Sequence, residues 1–252
     1  MNHNFVKRLR TGDRLIGTII TLDSSAAAEL LAGVGFDWLF IDAEHGPLSP
    51  ADIQHTLQAA GPATPCLVRV ATNDMINIKK ALDAGAAGII VPMVNTAEKA
   101  EEVVSSAKYA PLGTRGVGIS RAHGYGLKFQ EYLDNANEGT AVVIQAEHIQ
   151  AVENIAAIVQ VAGIDAVFVG PYDLSASMGL IGQVTHPQVV AAIDHVTAVC
   201  QEANIRLGIF AVSATAVQPY IERGYTLIAA ASDTLLLAQS SAQLLSEISK
   251  IP

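Results

Sequence analysis

One pattern recurs four times along the chain and restricts its possible folds more than any other feature. In each copy, the end of an amphipathic helix is followed by a glycine, one to three linking residues and a short apolar run. The copies are ELLAGVGFDWLFID (29–42), KKALDAGAAGIIVP (79–92), AAIVQVAGIDAVFVG (156–170) and QPYIERGYTLIAAAS (218–232). Glycine past a helix end adopts the left-handed conformation at little steric cost, and a continuous apolar run is typical of a strand buried on both faces. The pattern therefore predicts parallel βα units.

Four further apolar runs complete the predicted sheet: LIGTIITL (15–22), CLVRV (66–70), AVVIQAE (141–147) and RLGIFAV (206–212). The eight strands are expected near residues 19, 41, 68, 91, 144, 168, 209 and 229. Eight βα units predict a single (β/α)8 TIM-barrel domain over residues 1–252. A doubly wound open sheet is the alternative, but it usually has a glycine-rich turn after its first strand, where this chain has TLDSSAAAELL.

Composition excludes several classes of partner. The chain has 24 acidic and 15 basic residues, and its basic residues are scattered apart from KRLR at 7–10, which we interpret as a solvated N-terminal turn. A nucleic-acid surface is therefore not expected. The sequence has neither a signal-like N-terminus nor an apolar stretch long enough for a membrane span. Cys66 and Cys200 lie in apolar patterns typical of core thiols, so we expect a cytoplasmic protein.

Two connections are longer than a helix requires. One runs from about 95 to 140 and contains GTRGVGISRAHGYG, and the other follows the sixth strand with LSASMGLIGQVTHPQ. Both are predicted to leave the C-terminal ends of their strands, the face on which barrel enzymes build their active sites. Either could instead be an oligomer contact.

Ionisable side chains collect at the predicted C-terminal ends of particular strands. Glu147 and Asp173 end adjacent strands, where two carboxylates repel each other unless a proton or a cation lies between them. A hard divalent cation such as Mg²⁺ takes one or two carboxylates and keeps water and substrate oxygens. The alternative is that each carboxylate caps the helix that follows it.

Two neighbouring strands add charge to the same end of the barrel. Asp42, Glu44 and His45 follow the second strand, and a histidine near a carboxylate can transfer protons near neutral pH. His45 could also be an ordinary structural histidine. Arg69 interrupts an apolar strand, so its guanidinium needs an anionic partner, either a carboxylate of the protein or an anionic substrate. No lysine lies in a predicted strand, which argues against Schiff-base chemistry.

The motifs taken together resemble the HpcH/HpaI aldolase family, which comprises class II metal-dependent pyruvate aldolases of the phosphoenolpyruvate/pyruvate-binding TIM-barrel type. The motifs that carry the resemblance are GFDWLFIDAEHGP, LVRV, IIVPMV, GTRGVG, VIQAEH and VFVGPYDLSASMG, in this order. The resemblance implies reversible cleavage of a 4-hydroxy-2-oxo acid, such as a 2-oxo-3-deoxy sugar acid, to pyruvate and an aldehyde through a metal-stabilised enolate. It also implies Mg²⁺, Mn²⁺ or Co²⁺ as the cofactor and a homohexamer as the assembly.

The resemblance further implies roles for individual residues around the metal. Glu147 and Asp173 would be the metal ligands. His45 would be the acid/base residue, paired with Asp42. Glu44 would support a metal-bound water.

On the substrate side, the resemblance implies that Arg69 contacts the keto oxygen of pyruvate, with Gln145 beside it. Backbone amides around Tyr172 and Asp173 would hold the pyruvate carboxylate. The loop that contains Val117 would enter the site of a neighbouring subunit. Tyr172 stands where family members often have alanine or serine, which predicts a pocket of different shape.

Two other functions stay open from the sequence. A related carbon–carbon lyase or an oxaloacetate-type decarboxylase would use the same pyruvate enolate. A non-catalytic barrel that binds an oxo acid, or acts as a scaffold, would be expected to lack some of Glu147, Asp173, Arg69 and His45, all of which are present.

Overall fold

Eight parallel strands close into a barrel in the order in which they occur along the chain. The structure is a computed structural model that describes residues 3–251. The strands are β1 (Leu15–Ile20), β2 (Trp38–Asp42), β3 (Cys66–Arg69), β4 (Gly88–Val91), β5 (Ala141–Ala146), β6 (Ala166–Val169), β7 (Arg206–Ala211) and β8 (Leu227–Ser232). Because β8 pairs with β1 in parallel, the sheet closes on itself. The predicted TIM barrel is confirmed, and the doubly wound sheet is excluded.

Helices alternate with these strands. Within residues 3–251 they are α1 (His3–Thr11), α2 (Ser25–Val34), α3 (Pro50–Ala60), α4 (Met75–Asp83), α5 (Ala97–Ala107), α6 (Phe129–Gly139), α7 (Ile149–Ile158), α8 (Pro171–Ser177), α9 (Pro187–Glu202), α10 (Ala214–Glu222) and α11 (Asp233–Ile248), with a 3₁₀ helix at Arg121–Gly126. None of these helices is long and apolar enough to cross a lipid bilayer.

The glycine in each copy of the repeat has the conformation that the sequence predicts. The φ angles are 102° at Gly35, 100° at Gly85, 101° at Gly163 and 88° at Gly224. Each glycine lies between a helix and the strand that follows it. The left-handed residue turns the chain out of the helix, so the apolar run behind it can enter the barrel.

The core has two parts, one inside the barrel and one between the barrel and the helices. Helix α1 belongs to the inner part, with Leu9 fully buried at the N-terminal end of the barrel. The interpretation of KRLR as a solvated turn is wrong, because Arg8 pairs with Asp37 at 3.0 Å and Arg10 pairs with Asp165 at 2.7 Å. These ion pairs hold α1 across that end.

The first long connection leaves the C-terminal end of β4, but its glycine-rich segment lies at the other end of the barrel. Its segment GTRGVGISRAHGYG begins after α5, so it starts at the N-terminal end of the strands. Arg121 in this segment donates a hydrogen bond to the carbonyl oxygen of Ala84, just before β4. The predicted departure of the connection from the C-terminal end of β4 is confirmed, but α5 then carries the chain back, so the glycine-rich segment does not lie on the face where it was expected. The connection after β6 does begin at the C-terminal end, with α8.

Helix α11 does not cover the strands beside it. Beyond its first turn its side chains are largely exposed, and Leu245, for example, is 67% exposed. Ile16 on the adjoining strand β1 is 39% exposed, although neighbouring residues of the strand are buried. The outer face of the barrel at β1 is therefore partly uncovered by its own chain.

The left-handed glycines give the first testable prediction. In Gly163→Ala, the new Cβ would lie 2.7 Å from Cγ1 of Val104, at a φ of +101° that alanine rarely adopts. We expect the free energy of unfolding, measured by urea denaturation, to fall by about 2 kcal/mol or more.

Gly33→Ala is the matched control. Gly33 lies inside α2, and a Cβ there would meet nothing within 4 Å. Alanine is the better helix former by about 1 kcal/mol, so this variant should be at least as stable as the wild type. Equal destabilisation in both variants would contradict the role assigned to the left-handed glycine.

Candidate functional site

A cavity of about 370 Å³ opens at the C-terminal ends of the strands. Its lining includes six of the residues predicted from the sequence: Asp42, His45, Arg69, Gln145, Tyr172 and Asp173. They come from β2, β3, β5 and β6 and from the residues that follow these strands. Parallel strands end at the same edge, which is why side chains distant in sequence meet there.

Arg69 lies at the centre of the charge in this cavity. Its Nε donates to Asp42 Oδ1 at 2.9 Å and its Nη2 to Asp42 Oδ2 at 2.6 Å, while Nη1 lies 3.2 Å from Glu44 Oε2. The guanidinium carbon lies 5.2 Å from the centre of the Phe40 ring. Burial alone would raise the pKa of Asp42, but the hydrogen bonds and charge of Arg69 hold it below its usual value. The alternative that carboxylates of the protein balance Arg69 is confirmed.

His45 has a different neighbour from the one predicted. Asp42 accepts hydrogen bonds from the backbone amides of Glu44 and His45 at 3.0 and 3.2 Å, and its carboxylate is bound to Arg69. The His45 ring lies instead near Glu44, with Nε2 at 3.7 Å from Oε2, and its side chain is 64% exposed. The predicted pairing of the His45 ring with Asp42 is therefore corrected to Glu44. Burial raises the pKa of Glu44, and the charges of Arg69 and His45 partly oppose that rise.

Glu147 is held at both carboxylate oxygens. Oε1 accepts a hydrogen bond from the backbone amide of Met93 at 2.8 Å, and Oε2 accepts one from Nε2 of Gln145. Glu147 is only 3% exposed, and burial raises its pKa to about 7, with further contributions from the negative charges of Glu44 and Asp173. It does not cap the helix that follows, because His148 does so through Nδ1.

The space between Glu147 and Asp173 fits a small cation. A Cβ placed on Gly170 would lie 3.1 Å from Glu147 Oε2 and 3.7 Å from Asp173 Oδ2, so the missing side chain leaves the two oxygens facing one gap. Oε1 of Gln145 is buried and has no hydrogen-bond partner among the described residues. No group of three His, Cys, Asp or Glu side chains suited to a metal occurs within residues 3–251. The donor set is two carboxylates, which suits a hard cation that keeps water and substrate oxygens.

Two of the predicted residues lie outside this polar centre. Tyr172 is half-exposed at the rim of the cavity, in the first turn of α8. Val117 is exposed on the outside of the barrel, in a loop anchored by Arg115, which pairs with Asp83 at 2.7 Å. Val117 does not line the cavity of its own chain. Its predicted place in the site of a neighbouring subunit stays a prediction.

Several residues of the site were missed by the sequence analysis. The apolar wall consists of inward-facing residues on four strands: Ile19, Phe40, Phe168 and Phe210. Their alternation with outward-facing residues could have identified them, because the side chains of a strand point to opposite faces in turn. The contact between Met93 and Glu147 has no sequence signature, since a backbone amide is present at almost every residue.

Comparison with known proteins gives concordant matches. Residues 16–240 match the family model described as HpcH/HpaI aldolase/citrate lyase. The 4-hydroxy-2-oxo-heptane-1,7-dioate aldolase of Shigella sonnei (strain Ss046) is 40% identical over 244 residues, which cover 96% of this chain and 93% of that enzyme.

Solved structures agree with these matches. An HpcH/HpaI aldolase/citrate lyase family protein from Burkholderia cenocepacia J2315 has a TM-score of 0.95 and 36% identity, covering 98% of this chain and 100% of the other. The HpcH/HpaI aldolase of Desulfitobacterium hafniense DCB-2 has a TM-score of 0.89 and 31% identity, covering 98% and 96% of the two chains. The resemblance drawn from the sequence motifs is confirmed.

The raised pKa of Glu147 predicts how stability changes with pH. The pKa is about 7 in the folded chain, against an ordinary value of 4.5. Folding therefore takes up a proton between these two values, and the wild type loses stability as the pH rises through this range. Glutamine carries no charge, so we expect Glu147→Gln to be more stable than the wild type by on the order of 2 kcal/mol at pH 8 and equally stable near pH 4.

The measurement is urea unfolding at both pH values in the presence of a chelator. Asp134→Asn is a control, because Asp134 lies on the exposed side of α6 and bonds only to Gln130 among the described side chains. A difference between Glu147→Gln and the wild type that did not change with pH would contradict the prediction.

Proposed function

Because the chain belongs to the HpcH/HpaI aldolase/citrate lyase family, whose relatives are carbon–carbon lyases, we propose that it reversibly cleaves a 4-hydroxy-2-oxo acid to pyruvate and an aldehyde. The observation that carries the proposal is that Arg69 and Asp173 line one cavity, while Glu147 lies directly beside Gly170 in its wall. We also propose that residues 1–252 act as one barrel domain.

Class II aldolases of this family generally depend on a divalent metal. We propose that Glu147 and Asp173 hold Mg²⁺, Mn²⁺ or Co²⁺, supported by the gap that Gly170 leaves between their oxygens. The cation, when bound, supplies positive charge opposite the negative charge that develops on the 2-oxo oxygen of the substrate. Gln145 fixes one oxygen of Glu147 and leaves its own buried Oε1 available to a hydrogen-bond donor of the substrate or to water.

Arg69 adds a second positive charge for the same oxygen. Asp42 holds two of its nitrogens and Glu44 lies beside the third, so the guanidinium is fixed before the substrate arrives. A preorganised donor stabilises developing charge without reorganisation during the reaction. The backbone amides of Tyr172 and Asp173 would bind the pyruvate carboxylate, since Gly170 provides no side-chain cap for this turn of α8.

His45 is proposed to move the proton. During cleavage its ring would accept the proton of the C4 hydroxyl, directly or through water, and return it in the opposite direction. Glu44, 3.7 Å from Nε2, would orient the ring. The exposure of the His45 side chain suits this role, because the aldehyde half of the substrate must enter from the open side of the cavity.

The test of the proposed function is release of pyruvate from a panel of 4-hydroxy-2-oxo acids, including 4-hydroxy-2-oxo-heptane-1,7-dioate, coupled to lactate dehydrogenase. We expect turnover that chelator abolishes and Mn²⁺ restores. His45→Ala should lower kcat by about 10²–10⁴-fold, because it removes the proton acceptor, and should leave the Kd for Mn²⁺ within about twofold.

His195→Ala is the matched control, since His195 lies on α9, away from the cavity, and this variant should keep the activity of the wild type. Turnover that resists the chelator would rule out the proposed metal site. Release of CO₂ from oxaloacetate without cleavage of any 4-hydroxy-2-oxo acid would favour the decarboxylase alternative.

We propose that a second copy of the chain covers the exposed face of α11 and that the protein is a homo-oligomer. The helix presents Leu237, Leu244, Leu245 and Ile248 to solvent. The barrel beside it leaves Ile16 on β1 and Leu30 on α2 exposed. If two copies exchanged their α11 helices, the apolar face of each helix would cover the exposed Ile16 and Leu30 of the other copy.

Two charges on α11 should therefore weaken the assembly. We expect the double variant Leu244→Asp/Leu245→Asp to have a lower mass in sedimentation velocity than the wild type, because a carboxylate in an apolar contact is costly to desolvate. Ile181→Asp is the control, since Ile181 is 80% exposed but lies on neither α11 nor β1. A wild type that sediments as a monomer would contradict the exchange.

A further inference from the structure

Met93 has a backbone conformation that its residue type does not favour. Its φ is +56°, in the left-handed region, and it directly follows Pro92 at the C-terminal end of β4. A residue with a Cβ pays about 1–2 kcal/mol to enter this region, so the surroundings must hold it there. The side chain is 44% exposed, so its burial is only partial. The interactions that hold this conformation involve the backbone of Met93, whose amide and carbonyl groups are both hydrogen-bonded.

In this conformation the backbone amide of Met93 contacts a carboxylate of the site. It donates to Glu147 Oε1 at 2.8 Å, across the ends of β4 and β5. The other oxygen of Glu147 accepts from Gln145. With a donor on each oxygen, the plane of the carboxylate is fixed, and the Met93 amide is one of the two groups that fix it.

Asn73 holds the backbone on both sides of the amide. Its Nδ2 donates to the carbonyl oxygen of Met93 at 3.1 Å and lies 3.4 Å from that of Pro92. Asn73 is itself held on a firm loop, because the neighbouring Asp74 caps α4 by accepting from the amides of Ile76 and Asn77. One side chain from the β3–α4 loop thus clamps the turn after β4.

We infer that Asn73 is a positioning residue, which keeps Met93 left-handed and thereby orients Glu147. The inference rests on the proposed function only in taking Glu147 as a metal ligand. Residues that orient a metal ligand typically contribute about 10–100-fold to metal affinity. Asn73 does not contact the carboxylate of Glu147 itself; it holds the backbone of Met93, whose amide contacts that carboxylate.

A double-mutant cycle between Asn73 and Met93 tests this inference. We expect Asn73→Ala to raise the Kd for Mn²⁺, followed by the electron paramagnetic resonance of the free ion, by about 10–100-fold. In a Met93→Gly background the same substitution should raise it by about threefold or less, because glycine adopts a positive φ without strain and needs no clamp. The rescue distinguishes positioning from a general loss of stability.

A second measurement needs no metal. The amide of Met93 should exchange its hydrogen faster in Asn73→Ala than in the wild type, because the turn that presents it to Glu147 opens more often. Asn154→Ala is the matched control: Asn154 donates at 2.9 Å to the carbonyl oxygen of Asn95, which lies two residues beyond Met93 in the same connection. This control should leave both the Mn²⁺ affinity and the exchange at Met93 within about twofold of the wild type.

The results of these experiments separate the two claims. An equal loss of Mn²⁺ affinity on Asn73→Ala in the wild-type and Met93→Gly backgrounds, or unchanged exchange at Met93 in Asn73→Ala, would overturn the inference while leaving the proposed function in place. A wild type that binds no Mn²⁺ would overturn the proposed function, and the exchange rates would then decide alone whether Asn73 holds the turn.

Discussion

The guanidinium of Arg69 determines how the other charged groups of the cavity are arranged. It interacts with the carboxylates of Asp42, Glu44 and Glu147, which come from two other strands or the residues behind them. Burial alone would lower the pKa of Arg69, but these carboxylates, led by Asp42, raise it. An arginine that cannot lose its proton must be compensated where it is buried, and Asp42 compensates it through two parallel hydrogen bonds. Glu44 lies between Arg69 and His45, with its Oε2 at 3.2 Å from Nη1 of Arg69 and 3.7 Å from Nε2 of His45.

The negative charge of Glu147 is not neutralised by an ion pair among the described residues, unlike that of Asp42. Asp42 is satisfied by Arg69, whereas Glu147 is buried with two hydrogen-bond donors and no ion-pair partner among the described residues, so its pKa rises to about 7. Asp173 faces the same gap beside Gly170. Two carboxylates that face one gap without a cation between them repel each other, and this repulsion supports the proposal that a divalent ion binds there. The ionised Glu147 lowers the stability of the folded chain, and the same buried charge is what the proposed metal ion would neutralise.

The sequence predicted those features that local patterns determine. Gly35, Gly85 and two later glycines mark helix ends, so the order of helices and strands, and with it the barrel, followed from the sequence. It also placed Arg69 and Asp173 at one face, because parallel strands end together. It could not tell which carboxylate Arg69 would bind or that His45 would lie beside Glu44, since both depend on side-chain geometry within the assembled barrel. The left-handed conformation of Met93 could not be predicted from the sequence either, because glycine is the residue that usually indicates it.

The barrel is closed between β8 and β1 although α11, which follows β8, is largely exposed beyond its first turn. Asp233, at the start of α11, is buried and accepts hydrogen bonds from the amides of Thr21 and Leu22 and from the hydroxyl of Thr21 at 2.8–3.1 Å. Its carboxylate thus fastens the end of β1 to the end of β8. The wall of the cavity at Thr21 and Ser232 is fixed before α11 leaves the barrel. The proposed exchange of this helix between two copies would therefore leave the barrel closed and Arg69 in place, and the second copy would cover the part of β1 that its own chain leaves exposed.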